Sequence, residues 1–172
     1  MFALAPQPLL VELGRLIGDI IPSTVYQLHR EPRGWKWAED GPPLQIHAER
    51  RRGAGQNIAL VLGLSATVSL DRVEAVLGSA ADIWSLQTVN PHNDIMRRSA
   101  DLAAFRQLMR RTLDQIKAAH SQAREIHVFP AMPVSCSVEM GRVWMPKADL
   151  PLSIYDENRK LGGFRLATRI EN

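Results

Sequence analysis

The sequence predicts an α/β fold in which helices flank a largely parallel central sheet. Two observations support this prediction. Apolar stretches typical of strands alternate with stretches whose apolar residues recur at helical spacing. Residues 58–64 are nearly all apolar, as expected for a central strand that is covered on both faces. With 172 residues, 45% apolar and 23% charged, the chain has the composition of a single globular domain spanning 1–172.

The order of elements follows from these patterns. Leu9, Leu13 and Leu16 recur at helical spacing in the first helix, and Ser69 is a suitable N-cap for a short one. The predicted helices cover 8–21, a short segment from residue 69, 99–120 and 134–143. The predicted strands cover 24–29, 44–49, 58–64, 82–89, 125–129, 151–155 and 164–170, and residues 50–55 are expected to form a flexible basic turn.

The stretch from residue 125 to 147 organises the rest of the chain. Its strand is predicted to end at Pro130 and Pro133, because proline donates no amide, and a helix follows with Glu139 and Arg142 on its outer side. The turn lies at the carboxyl end of a strand and points at a helix N-terminus, a place that favours an anion. The alternative is a connection whose prolines only shape the backbone.

Three loops follow predicted strands that are parallel in this fold: residues 65–67, 90–94 and 129–133. Since connections between parallel strands are right-handed, these loops are expected at one edge of the sheet. Their convergence favours a binding site there over a purely structural role.

The sequence predicts neither catalysis nor a metal site. It contains no G-x-G-x-x-G, P-loop or G-x-S-x-G motif, and its five histidines lack the paired spacing of a zinc site. Cys136 is the single cysteine, so no disulfide framework is possible. A nucleophilic Cys136 at a helix start is one interpretation, and a buried packing residue is the favoured one. The absence of a signal peptide or spanning segment predicts a cytoplasmic protein without membrane contact.

Binding chemistry is better represented. Trp35, Lys36 and Trp37 together can stack on a base and meet a phosphate, although tryptophans that close the edge of the core are the alternative. Lys147 follows Pro146 and is expected either to reach back over the site or to pair with Asp149.

The pieces VYQLHREPRGWKW, LGLSATV, NPHND and especially HVFPAMPVSCSVEMGRVWMPKADLPLSIYD resemble the SAVED domain of bacterial antiphage CBASS systems, over residues 9–164. The resemblance implies a Rossmann-like (CARF-like) three-layer sandwich, similar to the CARF sensors of CRISPR systems. It also implies a sensor whose activating ligand is a cyclic oligonucleotide made by a CD-NTase, with no other cofactor. Such sensors follow an N-terminal effector, for example a DNA endonuclease, a TIR domain or a protease, which homo-oligomerisation switches on.

SAVED domains contain two CARF-like halves, and this chain resembles the C-terminal half. We therefore expect either a C-terminal fragment of a larger effector protein or a sensor with a single half. An alternative function is an assembly module that needs a second half before it binds nucleotide. A nucleotide-cleaving enzyme, such as a ring nuclease, would need a base or nucleophile that the sequence does not show.

Together, the residues and the resemblance predict a cyclic di- or trinucleotide across the carboxyl edge of the sheet. Amides near Met132 to Ser135 would meet a phosphate. Phe129 or Met132, and one of the two tryptophans, would flank bases. Ser65 and Thr67 would bond sugar or phosphate, while Lys36 and Lys147 supply charge. The predicted ligand-binding set is Trp35, Lys36, Trp37, Ser65, Thr67, Phe129, Pro130, Ala131, Met132, Pro133, Ser135 and Lys147.

Overall fold

A computed structural model describes residues 1–158 and 162–171 of the chain. The helices are α1 (Gln7–Ile17), α2 (Leu70–Leu77), α3 (Ser99–Ala119) and α4 (Val134–Val143). The strands are β1 (His29–Arg30), β2 (Arg33–Gly34), β3 (His47–Arg51), β4 (Ile58–Gly63), β5 (Asp82–Gln87), β6 (Ile126–Ala131), β7 (Leu152–Glu157) and β8 (Phe164–Ile170). The polar turn predicted before β8 includes residues 159–161, which lie outside the described residues.

The main sheet has six strands in the order β3-β5-β4-β6-β7-β8. Neighbouring strands from β5 through β4 and β6 to β7 are parallel, whereas β3 and β8 pair antiparallel at the two ends. Every residue of β4 is buried, as its continuous apolar run predicts. The predicted α/β fold with a largely parallel sheet is therefore confirmed.

Two hydrophobic clusters cover the two faces of this sheet. The larger one joins the sheet to α3 and α4, and its α3 side chains Leu102, Phe105, Met109, Leu113 and Ile116 are the stripe that helical spacing predicts. The smaller one lies on the face covered by α2, around Val73, Phe129 and Tyr155. No helix among the described residues is long and apolar enough to cross a membrane.

Helix α1 forms an additional layer outside α4, and two glycines make this possible. A Cβ added at Gly141 would lie 1.9 Å from the carbonyl oxygen of Val11, and one at Gly14 would lie 2.0 Å from that of Val138. The two backbones therefore touch at the crossing point, where a side chain larger than hydrogen does not fit. The contact buries α4 on all sides.

The structure corrects two predictions in the region of α4. Glu139 and Arg142 are not on an outer side, because α1 covers them; each is 3% exposed, and the two side chains pair at 2.9 Å. Pro130 does not end its strand, since β6 continues to Ala131. Beyond Val128 the strand still pairs with β4 but no longer with β7. Pro130, which has no amide hydrogen to donate, therefore fits in the strand, because the edge towards β7 makes no ladder there.

Two predictions in the first third of the chain are also wrong. Residues 24–28 form no strand, and only His29 and Arg30 pair, with β2. Hydrogen bonds of side chains, instead of a strand ladder, hold this segment. Arg50 and Arg51 lie in β3 and not in a flexible turn, because Arg50 pairs with Asp82 at 3.0 Å and its guanidinium lies 4.6 Å above the Trp84 ring.

Candidate functional site

The carboxyl ends of β4 and β6 lie side by side, and the connections that leave them run to opposite sides of the sheet. After β4 the connection through α2 leads to β5, on one side, and after β6 the connection through α4 leads to β7, on the other. The amides of Leu64 and Ser65 both donate to the carbonyl oxygen of Ala131, at 2.9 and 2.8 Å. In parallel α/β sheets such a crevice is the usual position for a ligand.

The three loops expected to converge do so, because β5, β4 and β6 are adjacent and parallel. Ser65 is partly exposed at the crevice and Thr67 is exposed beside it, so both hydroxyls are accessible. Ala131 is also partly exposed. These three residues of the predicted set lie together at the edge.

The predicted phosphate site at the start of α4 is already filled by protein groups. Gln7 accepts from the Met132 amide at 3.0 Å. The side-chain oxygen of Gln27 accepts from the amide of Ser135 at 3.2 Å and from its hydroxyl at 2.7 Å. Met132, Pro133 and Ser135 are buried. Two glutamines thus already accept from the Met132 and Ser135 amides, which we expected to face an anion.

Phe129 and Pro130 belong to the core and cannot flank a base. Phe129 is fully buried, and its ring centroid lies 4.7 Å from that of Tyr155 and 5.1 Å from that of Phe164. Pro130 is buried within β6. Side chains alternate between the two faces along β6, and this alternation turns the Phe129 ring into the cluster under α2.

A segment from Gln27 to Trp37 crosses the carboxyl edge and is anchored at two points, at Gln27 and at Arg30 and Glu31. Gln27 bonds to the start of α4, as described above. The carboxylate of Asp94, after β5, accepts from the amides of Arg30 at 2.9 Å and Glu31 at 3.2 Å. Since β4 lies between β6 and β5, these anchors carry the segment past the end of β4.

The two tryptophans of this segment have different surroundings. Trp37 packs against the larger core cluster, with its ring 6.1 Å from that of His29, so it closes the core edge. Trp35 is half-buried and lies edge-on to Phe2 at 5.3 Å, and Phe2 stacks on Tyr26 at 4.8 Å. Phe2, Tyr26 and Trp35 form what we call the edge aromatic cluster. Sequence patterns did not indicate Phe2 or Tyr26, because the contacts join distant segments.

Three cations accompany the edge aromatic cluster. Arg30, Arg33 and Lys36 are exposed, and their side chains have no carboxylate partner in the described part of the chain. Other arginines nearby are neutralised; Arg97, for example, pairs with Asp40 through two nitrogens at 2.8 and 3.0 Å. Unpaired cations beside accessible aromatic rings create a surface that attracts a phosphate and a base together.

The segment also holds a histidine without a partner. His29 is 4% exposed, and neither ring nitrogen forms a hydrogen bond within the described residues. Burial lowers the pKa of His29, with Arg97 adding to the effect. The Thr88 hydroxyl at the end of β5 is likewise buried without a partner there. Buried polar atoms rarely stay unsatisfied, so both suit a bound water or ligand.

Lys147 and Cys136 lie outside this region. Lys147 follows the end of α4 and precedes β7, so it lies at the amino edge of the parallel strands, opposite Ser65. It does not pair with Asp149, which binds Arg110 and the amide of Met145. Cys136 is fully buried, and burial raises the pKa of its thiol, as fits a packing residue.

Comparison with known proteins identifies relatives of the chain. The family model described as "SAVED: SMODS-associated and fused to various effectors sensor domain" matches residues 1–170. No curated protein matches the sequence. The chain is similar in structure to the Cap4 SAVED/CARF-domain containing receptor of Acinetobacter baumannii. The TM-score is 0.69 at 10% identity for the receptor with the cyclic trinucleotide 2'3'3'-cAAA, and 0.68 at 11% identity for a second structure of the receptor.

A third structure of that receptor contains 3'3'3'-cAAA and gives a TM-score of 0.69 at 10% identity. Each comparison covers 99% of this chain but only 35% or 38% of the receptor chain. The chain therefore spans less than two-fifths of the length of these receptors. At this identity the likeness shows a shared fold.

Proposed function

Because the chain belongs to the SAVED family of sensor domains, we propose that it binds a cyclic oligonucleotide, a cyclic di- or trinucleotide, at the carboxyl edge of its sheet. The observation that carries the proposal is that Arg30, Arg33 and Lys36, which have no carboxylate partner among the described residues, lie in the same anchored segment as Trp35 of the edge aromatic cluster. The Acinetobacter receptors with the same fold were determined with cyclic trinucleotides, which supports the ligand class.

Each part of a cyclic oligonucleotide has a matching group at this edge. Arg30, Arg33 and Lys36 supply the positive charge that a ring of phosphodiesters requires. The Trp35 and Phe2 rings offer a face on which a base can stack. The hydroxyls of Ser65 and Thr67 donate to sugar or phosphate oxygens. The capped start of α4 takes no part in this arrangement.

We further propose that the bound messenger promotes self-association and thereby activates a fused or associated effector, such as a nuclease, in CBASS antiphage defence. The messenger would come from a CD-NTase, and the effector reaction would belong to a different domain. We assign no reaction to the chain itself.

One observation favours a second candidate, an assembly module that needs a second CARF-like half to bind nucleotide. Gln7 and Gln27 occupy the helix start that would otherwise hold a phosphate. If that position is needed for affinity, the chain alone will not bind, and another half would have to supply the phosphate contacts.

Calorimetric titration with cyclic di- and trinucleotides distinguishes the two functions. We expect saturable binding of one ring that weakens as salt is raised. Lys36→Ala and Arg33→Ala should each lower affinity about 10-fold, because a charge-assisted contact to a phosphate is lost. Lys147→Ala is the matched control, an exposed lysine at the opposite edge, and should leave affinity unchanged. A folded chain that binds no ring would contradict the sensor function and favour the assembly module.

A further inference from the structure

A polar cleft opens at the amino edge of the sheet, beside the start of β6. It adjoins the end of α2, since the Asn57 side chain donates to the carbonyl oxygen of Leu77 at 3.0 Å. Its lining is almost entirely polar: Gln56, Asn57, Gln122, Arg124, Glu125 and His127. The cleft has a volume of about 170 Å³. A water occupies about 30 Å³ of liquid, so there is room for a ligand larger than one bridging water.

Two side chains of this cleft are each held from behind. The Ser153 hydroxyl donates to one carboxylate oxygen of Glu125, and the Tyr155 hydroxyl lies 3.2 Å from Nδ1 of His127. Ser153 and Tyr155 are buried, so they fix the orientation of the two groups in front of them. The other polar atoms, Nε2 of His127 and Oε1 of Glu125, are 3.9 Å apart. This distance is too long for a direct hydrogen bond, and we call these two atoms the bridging pair.

The tyrosine determines the tautomer of His127. Burial lowers the pKa of His127 and raises that of Tyr155, so at neutral pH the imidazole is neutral and the phenol keeps its proton. The Tyr155 hydroxyl has no other hydrogen-bond partner in the described part of the chain, so it donates to Nδ1. The imidazole proton is therefore on Nε2. The bridging pair presents one donor, Nε2–H, beside one acceptor, Oε1 of Glu125.

A hydroxyl group fits between these two atoms. An oxygen about 2.8 Å from both atoms spans the gap at an angle of about 90°, and it accepts from Nε2–H while it donates to Oε1. A hydroxyl performs both roles through a single atom. The geometry therefore favours a hydroxylated ligand.

The charges of the cleft favour a neutral ligand. The Glu125 carboxylate repels an anion. Arg124 is exposed without an ion-pair or hydrogen-bond partner among the described residues, and it repels a cation. A metal ion would also need the lone pair of Nε2, which carries the proton, and no group of three metal-ligating side chains occurs in the described ranges. The exposed amides of Gln56 and Gln122 offer both donors and acceptors to further hydroxyls.

We propose that this cleft binds a neutral sugar. One sugar hydroxyl bridges His127 and Glu125, and neighbouring hydroxyls meet Arg124 and the amide side chains of Gln56 and Gln122. Convergent polar groups of this kind fix the orientation of a small ligand. The cleft lies at the opposite edge of the sheet from the proposed messenger site and needs no nucleotide, so either site can fail its test without the other.

A titration of the isotope-labelled chain with D-ribose, D-glucose and D-galactose, followed by nuclear magnetic resonance, tests the proposal. We expect saturable shifts of the Gln122, Arg124 and His127 amides with at least one sugar at about 100 mM, where even a millimolar site is filled. Tetrahydropyran, a ring without hydroxyls, is the control ligand and should cause no such shifts. The absence of saturable shifts with every sugar, or equal shifts with tetrahydropyran, would overturn the proposal.

Two variants assign the binding to this cleft. Glu125→Ala removes the charged acceptor of the bridging pair and should weaken sugar binding at least about 10-fold. Arg124→Ala changes an exposed side chain, so folding is unaffected, and it should weaken binding about 3-fold. Glu49→Ala is the matched control, an exposed carboxylate on β3 outside the cleft, and should leave binding unchanged. Wild-type affinity in either folded variant would contradict the assignment.

The tautomer of His127 provides a test without any ligand. Long-range nitrogen–proton spectra of the imidazole distinguish a proton on Nε2 from one on Nδ1. We expect the proton on Nε2 in the wild-type chain at neutral pH, and a mixture of both tautomers in Tyr155→Phe, which lacks the hydroxyl donor. A wild-type imidazole with its proton on Nδ1 would remove the donor of the bridging pair and overturn the proposal.

Discussion

Replacing Gly141 by alanine tests the contact between α1 and α4 most severely. Intrinsic helix propensity alone predicts a gain, because alanine is more favourable than glycine in a helix interior by about 1 kcal/mol. The tertiary structure predicts the opposite. The new Cβ would lie 1.9 Å from the Val11 carbonyl oxygen and 2.7 Å from the Arg15 amide nitrogen.

The size of the effect follows from what must move. Both neighbours are backbone atoms of α1, so no side chain can rotate away, and the helices must separate by about 1.5 Å to reach the 3.4 Å of ordinary contact. Overpacking of this kind costs about 1–3 kcal/mol. Taking the upper value because the backbone must shift, and subtracting the propensity gain, we expect a net loss of about 2 kcal/mol, or about 4–8 °C in Tm.

Chemical denaturation measures this loss directly, as a lower midpoint with an unchanged slope. Gly34→Ala is the control, since an added Cβ there meets nothing within 4 Å, and its free energy of unfolding should change by less than about 0.5 kcal/mol. Equal or higher stability of Gly141→Ala would refute the close crossing, and with it the burial of Glu139 and Arg142.

Three further changes probe the polar anchors and the buried His29. Asp94→Ala removes the acceptor for the Arg30 and Glu31 amides, so hydrogen exchange of these amides should accelerate and nucleotide affinity should fall, with little change in Tm. Arg142→Met should cost about 3–5 kcal/mol in urea unfolding, because the buried Glu139 keeps only Arg106 as a partner and three carbonyl oxygens of the turn after α1 lose their donor. Burial lowers the pKa of His29 below its usual 6.5, so the folded state resists protonation and Tm should fall as pH drops from 7.5 to 5.5. A His29→Phe variant that folds should show a shallower decrease; an equal slope would argue against a buried neutral imidazole.

The sequence predicts most of the fold because much of it is encoded locally. The continuous apolar run of β4 and the helical stripe of α3 reflect burial by the sheet, and each is visible within a single stretch. Position at the carboxyl edge also follows from topology alone, which is why Ser65 and Thr67 lie where we expected.

The parts that sequence patterns did not indicate depend on contacts between distant segments. Gln7 and Gln27 reach the start of α4 from more than 100 residues away and occupy the predicted anion site. Glu139 and Arg142 look like an exposed helical pair until α1 covers them. Phe2 joins Trp35 only through the fold. No local spacing encodes such pairings.

The most direct test of the proposed function is a nuclear magnetic resonance titration of the labelled chain with a cyclic trinucleotide. We expect saturable shifts of the Ser65 and Thr67 amides and of the Trp35 indole, with the Lys147 amide, at the opposite edge of the sheet, unaffected. Absence of shifts in the folded protein, or shifts confined to the amino edge around Lys147, would contradict a messenger site at the carboxyl edge.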